Sequence, residues 1–78
     1  MVHAFIMVKA GAGEAQTVRD QMAGFDGVEA AHVVAGQFDI IAEVDGPEVN
    51  NVLDTVSNRI GTVDGVTNTK TYISLSAA

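Results

Sequence analysis

Asp39 follows Gly36-Gln37-Phe38 directly and stands in the otherwise apolar run that leads from AHVVAGQF into DIIAEV, residues 31–44. A carboxylate so placed can do one of two things. It can accept backbone N–H bonds and steady a turn, or it can meet the ammonium group of a small molecule. Catalysis would need more: a nucleophile with its base, a metal set, or two facing carboxylates. His3 and His32 fall on separate segments without metal-ligand spacing. There is no cysteine, which excludes thiolate chemistry and disulfides. The loop Gly11-Ala12-Gly13 lacks the third glycine of a dinucleotide fingerprint and the Gly-Lys-Ser/Thr of a phosphate loop. Met1, Met7 and Met22 read as an initiator and core residues. No catalytic residue, metal ligand or cofactor is assigned, and the chain reads as a binding module and not an enzyme.

The elements that must position Asp39 can be read from periodicity. Val2 to Val8 (VHAFIMV) is almost wholly apolar and predicts a central strand buried on both faces. Ala15, Val18, Met22 and Phe25 recur at steps of three and four, the stripe of a helix over Glu14 to Gly24, with Gly13 as its cap and Gly24 as a left-handed stop. Val28 to Ala35 and Phe38 to Val44 are β-rich runs around Gly36-Gln37, and glycine at the first central position predicts a two-residue type II′ hairpin. That turn pairs Ala35 with Phe38, Val34 with Asp39, Val33 with Ile40 and His32 with Ile41. One hairpin face is then apolar throughout (Ala31, Val33, Ala35, Phe38, Ile40, Ala42, Val44) and must take helices. The other carries Ala30, His32, Val34, Asp39, Ile41 and Glu43. Asp45-Gly46-Pro47 opens a second helix with the stripe Val49, Val52, Leu53, Val56 and Ile60, which Gly61 stops. Thr-rich Val66 to Leu75 predicts an edge strand.

The order is β-α-β-β-α-β in a single domain, residues 1–78. FDGVEAAHVV from Phe25 and VDGVTNTKTY from Val63 share Asp-Gly-Val, offset by 38 residues, each between a helix and a strand. Two related βαβ halves are implied, and the triplet has a structural reason as a turn. The fold expected is α+β: a ferredoxin-like sandwich, a four-stranded antiparallel sheet with both helices on one face.

Such a sheet keeps one face free of helices. The pattern puts Phe5 and Met7 of the first strand there with His32, Ile41 and Glu43 of the hairpin, a face apolar enough to require a partner. Covering a few hundred Å² at roughly 25 cal/mol per Å² contributes several kcal/mol, comparable to the stability of a small domain. A face-to-face homodimer is expected, with those five residues at its interface. A chain of 78 residues is also short enough to need such reinforcement.

Ten acidic side chains against four basic ones, Lys9, Arg19, Arg59 and Lys70, give a net charge of −6. That opposes direct binding to nucleic acid and suits a high-salt environment. No secretory segment or long apolar run is visible, so a cytoplasmic protein without membrane attachment is expected.

AFIMVKAGAGE, VEAAHVVAGQFDIIAEVDGP and VDGVTNTKTYISL resemble, in order and over residues 3–75, the effector-binding (RAM) domain of the Lrp/AsnC, or feast/famine, transcriptional regulators. The family hairpin signature runs Thr-Gly, one variable residue, then an aromatic-Asp pair; Gly36, Phe38 and Asp39 fit it. A later Thr-x-Thr-Tyr-aliphatic strand matches Thr69 to Ile73. The resemblance implies sheet-mediated dimers, rings of dimers, and amino acids or similar metabolites bound in clefts between subunits. It places the ligand against Val34, Gly36, Gln37, Phe38 and Asp39, with Asp39 at the effector's ammonium group and Thr71 and Tyr72 on the adjoining surface. Ala35 departs from the family's Thr and lacks its hydroxyl bond. Regulators of the family also carry an N-terminal helix-turn-helix, whereas Met1 here leads directly into the first strand, so regulation is expected through co-assembly with full-length relatives. The alternatives are an ACT-like amino-acid-binding module, for which Gly11 and Gly13 speak, and a small dimeric α+β-barrel enzyme.

Overall fold

The computed structural model describes residues 1–77. In chain order it contains β1 (Val2–Ala10), α1 (Ala15–Met22), β2 (Val28–Val33), β3 (Ile40–Gly46), α2 (Val49–Asn58), one 3₁₀ turn (Ile60–Thr62) and β4 (Val66–Ile73). The sheet order is β2-β3-β1-β4 with every neighbour antiparallel. This is the ferredoxin-like α+β arrangement expected from the periodicity. Strand alternation sends Ala4, Ile6, Val8, Ile40, Ala42 and Val44 to one side, where all are fully buried. Val18 and Met22 of α1, Val52 and Val56 of α2, and Ile60 close over them as one core. Both helices thus lie on the same side of the sheet.

The repeated Asp-Gly-Val triplets do the same work twice. Val28 N–H donates to Phe25 C=O and Val66 N–H to Val63 C=O, each at 3.1 Å. The glycine inside each turn has positive φ, 92° for Gly27 and 99° for Gly65, a conformation open to glycine at no steric cost. The two halves therefore share a turn as well as a sequence signature.

The helix ends differ from expectation by small, explicable amounts. α1 starts one residue later, with Glu14 as its N-terminal cap residue, and ends at Met22 with Ala23 as the C-terminal cap residue and no left-handed glycine, because Gly24 lacks a positive φ. β3 runs on through Gly46, so Pro47 precedes α2 and Glu48 becomes the cap residue. There Glu48 N–H donates to Asn51 Oδ1 at 3.1 Å. Of the predicted α2 stripe, Val52, Val56 and Ile60 are buried, while Val49 and Leu53 stay exposed. No described helix is long and apolar enough to cross a membrane.

The hairpin register is as predicted, with Val33 opposite Ile40 and His32 opposite Ile41. Its turn is not. The strands stop at Val33 and Ile40, so Ala35 and Phe38 pair with nothing and residues 34–39 form a wider loop closed by Val34 N–H to Asp39 C=O at 2.9 Å. Gly36 lacks the positive φ that a type II′ turn requires. Val33, expected under a helix, is 46% exposed. The physical reason lies outside the hairpin: its tip is drawn over the end of β1.

Candidate functional site

Asp39 makes that connection. Its N–H donates to Val8 C=O at 3.0 Å, and its Oδ2 accepts the Ala10 N–H at 2.9 Å. Two consecutive polar groups of β1 that face β3 are satisfied by one residue. Lys9 adds a third tie, donating from Nζ to Gln37 C=O at 2.7 Å. β1 itself is irregular here, because its register against β4 shifts between Lys9 and Ala10. An ending strand with a free N–H is what a short acid at the neighbouring loop can cap. Asp39 Oδ1 takes no donor among the described residues, and the side chain is half-buried.

Around Asp39, Val34 and Phe38 are half-buried and Ala35, Gly36 and Gln37 exposed. A methyl group added at Gly36 would meet nothing within 4 Å, which leaves its backbone open to close approach. Thr71 pairs with Ile6 and Tyr72 with Phe5. Alternation therefore puts Thr71 on the helix side and Tyr72 on the opposite face, 55% exposed. The residues assigned to one surface from the sequence divide between the loop, the helix side and the helix-free side. Lys9 and Ala10 were missed; the signal for Lys9 was its place at the polar end of an apolar strand.

The helix-free face gathers Phe5, Met7, His32, Ile41 and Glu43, as the alternation required. Phe5 is 37% exposed. His3 and Asp45 complete the face at one end, and neither was singled out with it from the sequence. His3 Nδ1 bonds Asp45 Oδ1, while His3 Nε2 lies 3.2 Å from Glu43 Oε1. Carboxylates on both ring nitrogens are satisfied together only by the doubly protonated ring. The hydrogen bond to Asp45 accordingly raises the His3 pKa above its ordinary value, with Glu43 adding to the rise and burial opposing it. His32 Nε2 approaches the other Glu43 oxygen at 3.5 Å, and the edge of His3 stacks at right angles on Phe5, centroids 5.0 Å apart. Among the described residues no group of three or more His, Asp and Glu is arranged to hold a metal ion.

The Gly11-Ala12-Gly13 loop has its own structural use. Gly11 N–H donates to Gly65 C=O at 2.9 Å and Gly11 C=O accepts from Glu14 N–H, which ties the start of α1 to the second Asp-Gly turn.

The family described as Lrp/AsnC ligand binding domain matches residues 3–78. A solved protein from Thermus thermophilus superposes with a TM-score of 0.94 at 26% identity, covering 100% of this chain and 98% of that one. AsnC of E. coli superposes with a TM-score of 0.90 at 23% identity over 97% of this chain and 52% of its own length. A transcriptional regulator from Neisseria meningitidis, solved as its L-Met complex, does so with a TM-score of 0.83 at 18% identity, over 96% of this chain and 50% of its own. The last two likenesses show the fold alone. No curated protein matches the chain.

Proposed function

The chain belongs to the Lrp/AsnC ligand binding domain family, and from that premise we propose that it is an effector-binding and oligomerisation module for an amino acid or a similar small metabolite, acting in regulation and not in catalysis. Two copies pair through their helix-free faces, and the effector sits at a cleft between subunits bordered by the loop of residues 34–39. There Asp39 takes the ammonium group through Oδ1. Gly36 and Gln37 offer backbone and Val34 and Phe38 an apolar flank, while Tyr72 stands on the helix-free face of β4, beyond β1, and Thr71, on the helix side, takes no part. In a single chain this loop is an open surface, and a ligand that buries most of its area needs a second wall. Regulation would then run through contact with proteins that carry the same domain, since a net charge of −6 opposes direct contact with DNA.

The observation that carries the reading is the half-buried Asp39 carboxylate with one oxygen anchored on Ala10 and the other free. Anchoring fixes the free oxygen in place before a ligand arrives, which lowers the ordering cost of binding. An ammonium ligand makes a charge-assisted bond there. The regulator solved with L-Met supports an α-amino acid as the ligand class.

The test is a thermal-shift screen of the twenty amino acids against the wild type and Asp39→Asn. Asparagine keeps an oxygen for the Ala10 N–H and removes the charge. One or a few amino acids should raise the wild-type Tm, and the shift should vanish in the variant. No stabilising amino acid, or an equal shift in both proteins, would rule out this site.

A further inference from the structure

Asp39 lies across from Lys9. The pairing of β1 with β3 ends at Val8 and Ile40, and the next residues outward are Lys9 and Asp39. Asp39 bonds both chain neighbours of Lys9, its N–H donating to Val8 C=O and its Oδ2 accepting the Ala10 N–H. Residues so opposed have Cβ atoms roughly 5 Å apart, near enough for an acid and a base to join directly. These two do not join, since neither side chain forms an ion pair among the described residues. Each is held by backbone instead, Asp39 Oδ2 by the Ala10 N–H and Lys9 Nζ by Gln37 C=O at 2.7 Å. Asp39 Oδ1 and the other Lys9 N–H donors stay open among the described residues.

The surroundings do not neutralise Lys9 either. The helix-free face is polarised in charge: Glu43 and Asp45 stand at one end, around His3, and Lys9 and Lys70 at the other. Of the residues on either side of Lys9, Asn68 on β4 and Asp39, only Asp39 is an acid. An acid and a base are thus anchored side by side without satisfying one another. A zwitterion completes that arrangement, because an α-amino acid carries its ammonium and carboxylate on one carbon and needs an anion and a cation at close spacing. Had Lys9 and Asp39 already joined, a ligand would first have to separate them.

We infer that Lys9 recognises the carboxylate of the effector and makes the site selective for zwitterions, the ligand's ammonium resting on Asp39 Oδ1 and its carboxylate on Lys9 Nζ. The inference rests on the effector-binding reading above and adds a residue and a substrate class to it. Asp39 alone, in a chain of net charge −6, would attract amines and inorganic cations of every kind. With Lys9 beside it, an amine without a carboxylate forfeits one charge-assisted bond, and a carboxylic acid without an amine meets the uncompensated Asp39 charge. Both side chains are tied down before the ligand arrives, which lowers the ordering cost of using them.

Titration calorimetry tests it at about pH 6, below the α-amino pKa. Each amino acid that raises the wild-type Tm is compared with its α-carboxamide, which keeps the ammonium and loses the negative charge. The wild type should bind the amino acid roughly tenfold or more tightly than the carboxamide, the worth of one charge-assisted bond. Lys9→Met should lower amino-acid affinity by a similar factor, leave carboxamide affinity nearly unchanged and so erase the discrimination, while Lys9→Arg should retain it. A lysine that merely steadied the loop would affect both compounds alike. Lys9 is exposed, so its replacement spares the core, and the wild-type comparison needs no variant at all. A wild type that binds both compounds equally, or a Lys9→Met variant that still prefers the amino acid, overturns the role of Lys9 and spares the Asp39 site, which Asp39→Asn tests separately. A wild type that no amino acid stabilises overturns both.

Discussion

At the scale of single residues, two carboxylates with similar sequence surroundings have different tasks. Asp39 caps an ending strand through Ala10, and Asp45 holds His3 with Glu43. The place of Asp39 after a hairpin bend was legible from its neighbours alone. Its partner was not, because Ala10 is 29 residues away and its N–H is left open only because the pairing of β1 with β3 ends at Val8 and Ile40. The His3 cluster was hidden for a related reason: each member is unremarkable on its own strand, and only the β1–β3 register brings them together. A pH dependence follows from it. A histidine whose pKa is raised in the folded state contributes stability that is full below its unfolded value of about 6.5 and is lost as pH rises through the folded value. Thermal unfolding of the wild type and His3→Gln should therefore differ most at pH 5.5, with the wild type the more stable, and the difference should shrink by pH 8.5. A gap that is constant or grows with pH would contradict the doubly protonated ring.

At the scale of elements, periodicity carried most of the fold. Alternation in β1 and β3 separated core from open face correctly, and pairing across the hairpin was right at Val33–Ile40. The turn was misread because Gly36 resembles a type II′ glycine, yet the loop's shape is set by its bonds to β1 and not by its own dihedral preferences. Glycines are thus unequal here. Gly65 has positive φ, and a Cβ on it would come within 3.0 Å of Val18 Cγ2 and crowd Glu14. Gly36 has neither constraint. Gly65→Ala should cost about 2–4 kcal/mol, from backbone strain and overpacking combined. Gly36→Ala should be neutral or stabilising by up to about 1 kcal/mol through the unfolded chain. Urea denaturation of both variants checks the contrast, and equal effects would refute it.

At the scale of the whole molecule, the sheet has one covered face and one that exposes Phe5 and Tyr72. Replacing Ile41, at the centre of that face, by Lys should weaken self-association by about 2 kcal/mol or more, through lost burial and an unpaired charge at the interface. The circular-dichroism spectrum should stay unchanged, since Ile41 points away from the core. A variant that remains associated would place the contact elsewhere. The existence of the open face was legible from the mixed alternation of β1, whereas its charge polarity was not, since it depends on three strand registers at once. That polarity reaches beyond pairing. Glu43 and Asp45 offset Lys9 and Lys70 in formal charge, so a partner that closed the face would withdraw half of the chain's basic side chains and leave the net charge of −6 per chain outside. The assembled particle would be wrapped in a counter-ion cloud of one sign, kept apart from its neighbours by colloidal repulsion, and any docking protein would meet it with cations or with grease.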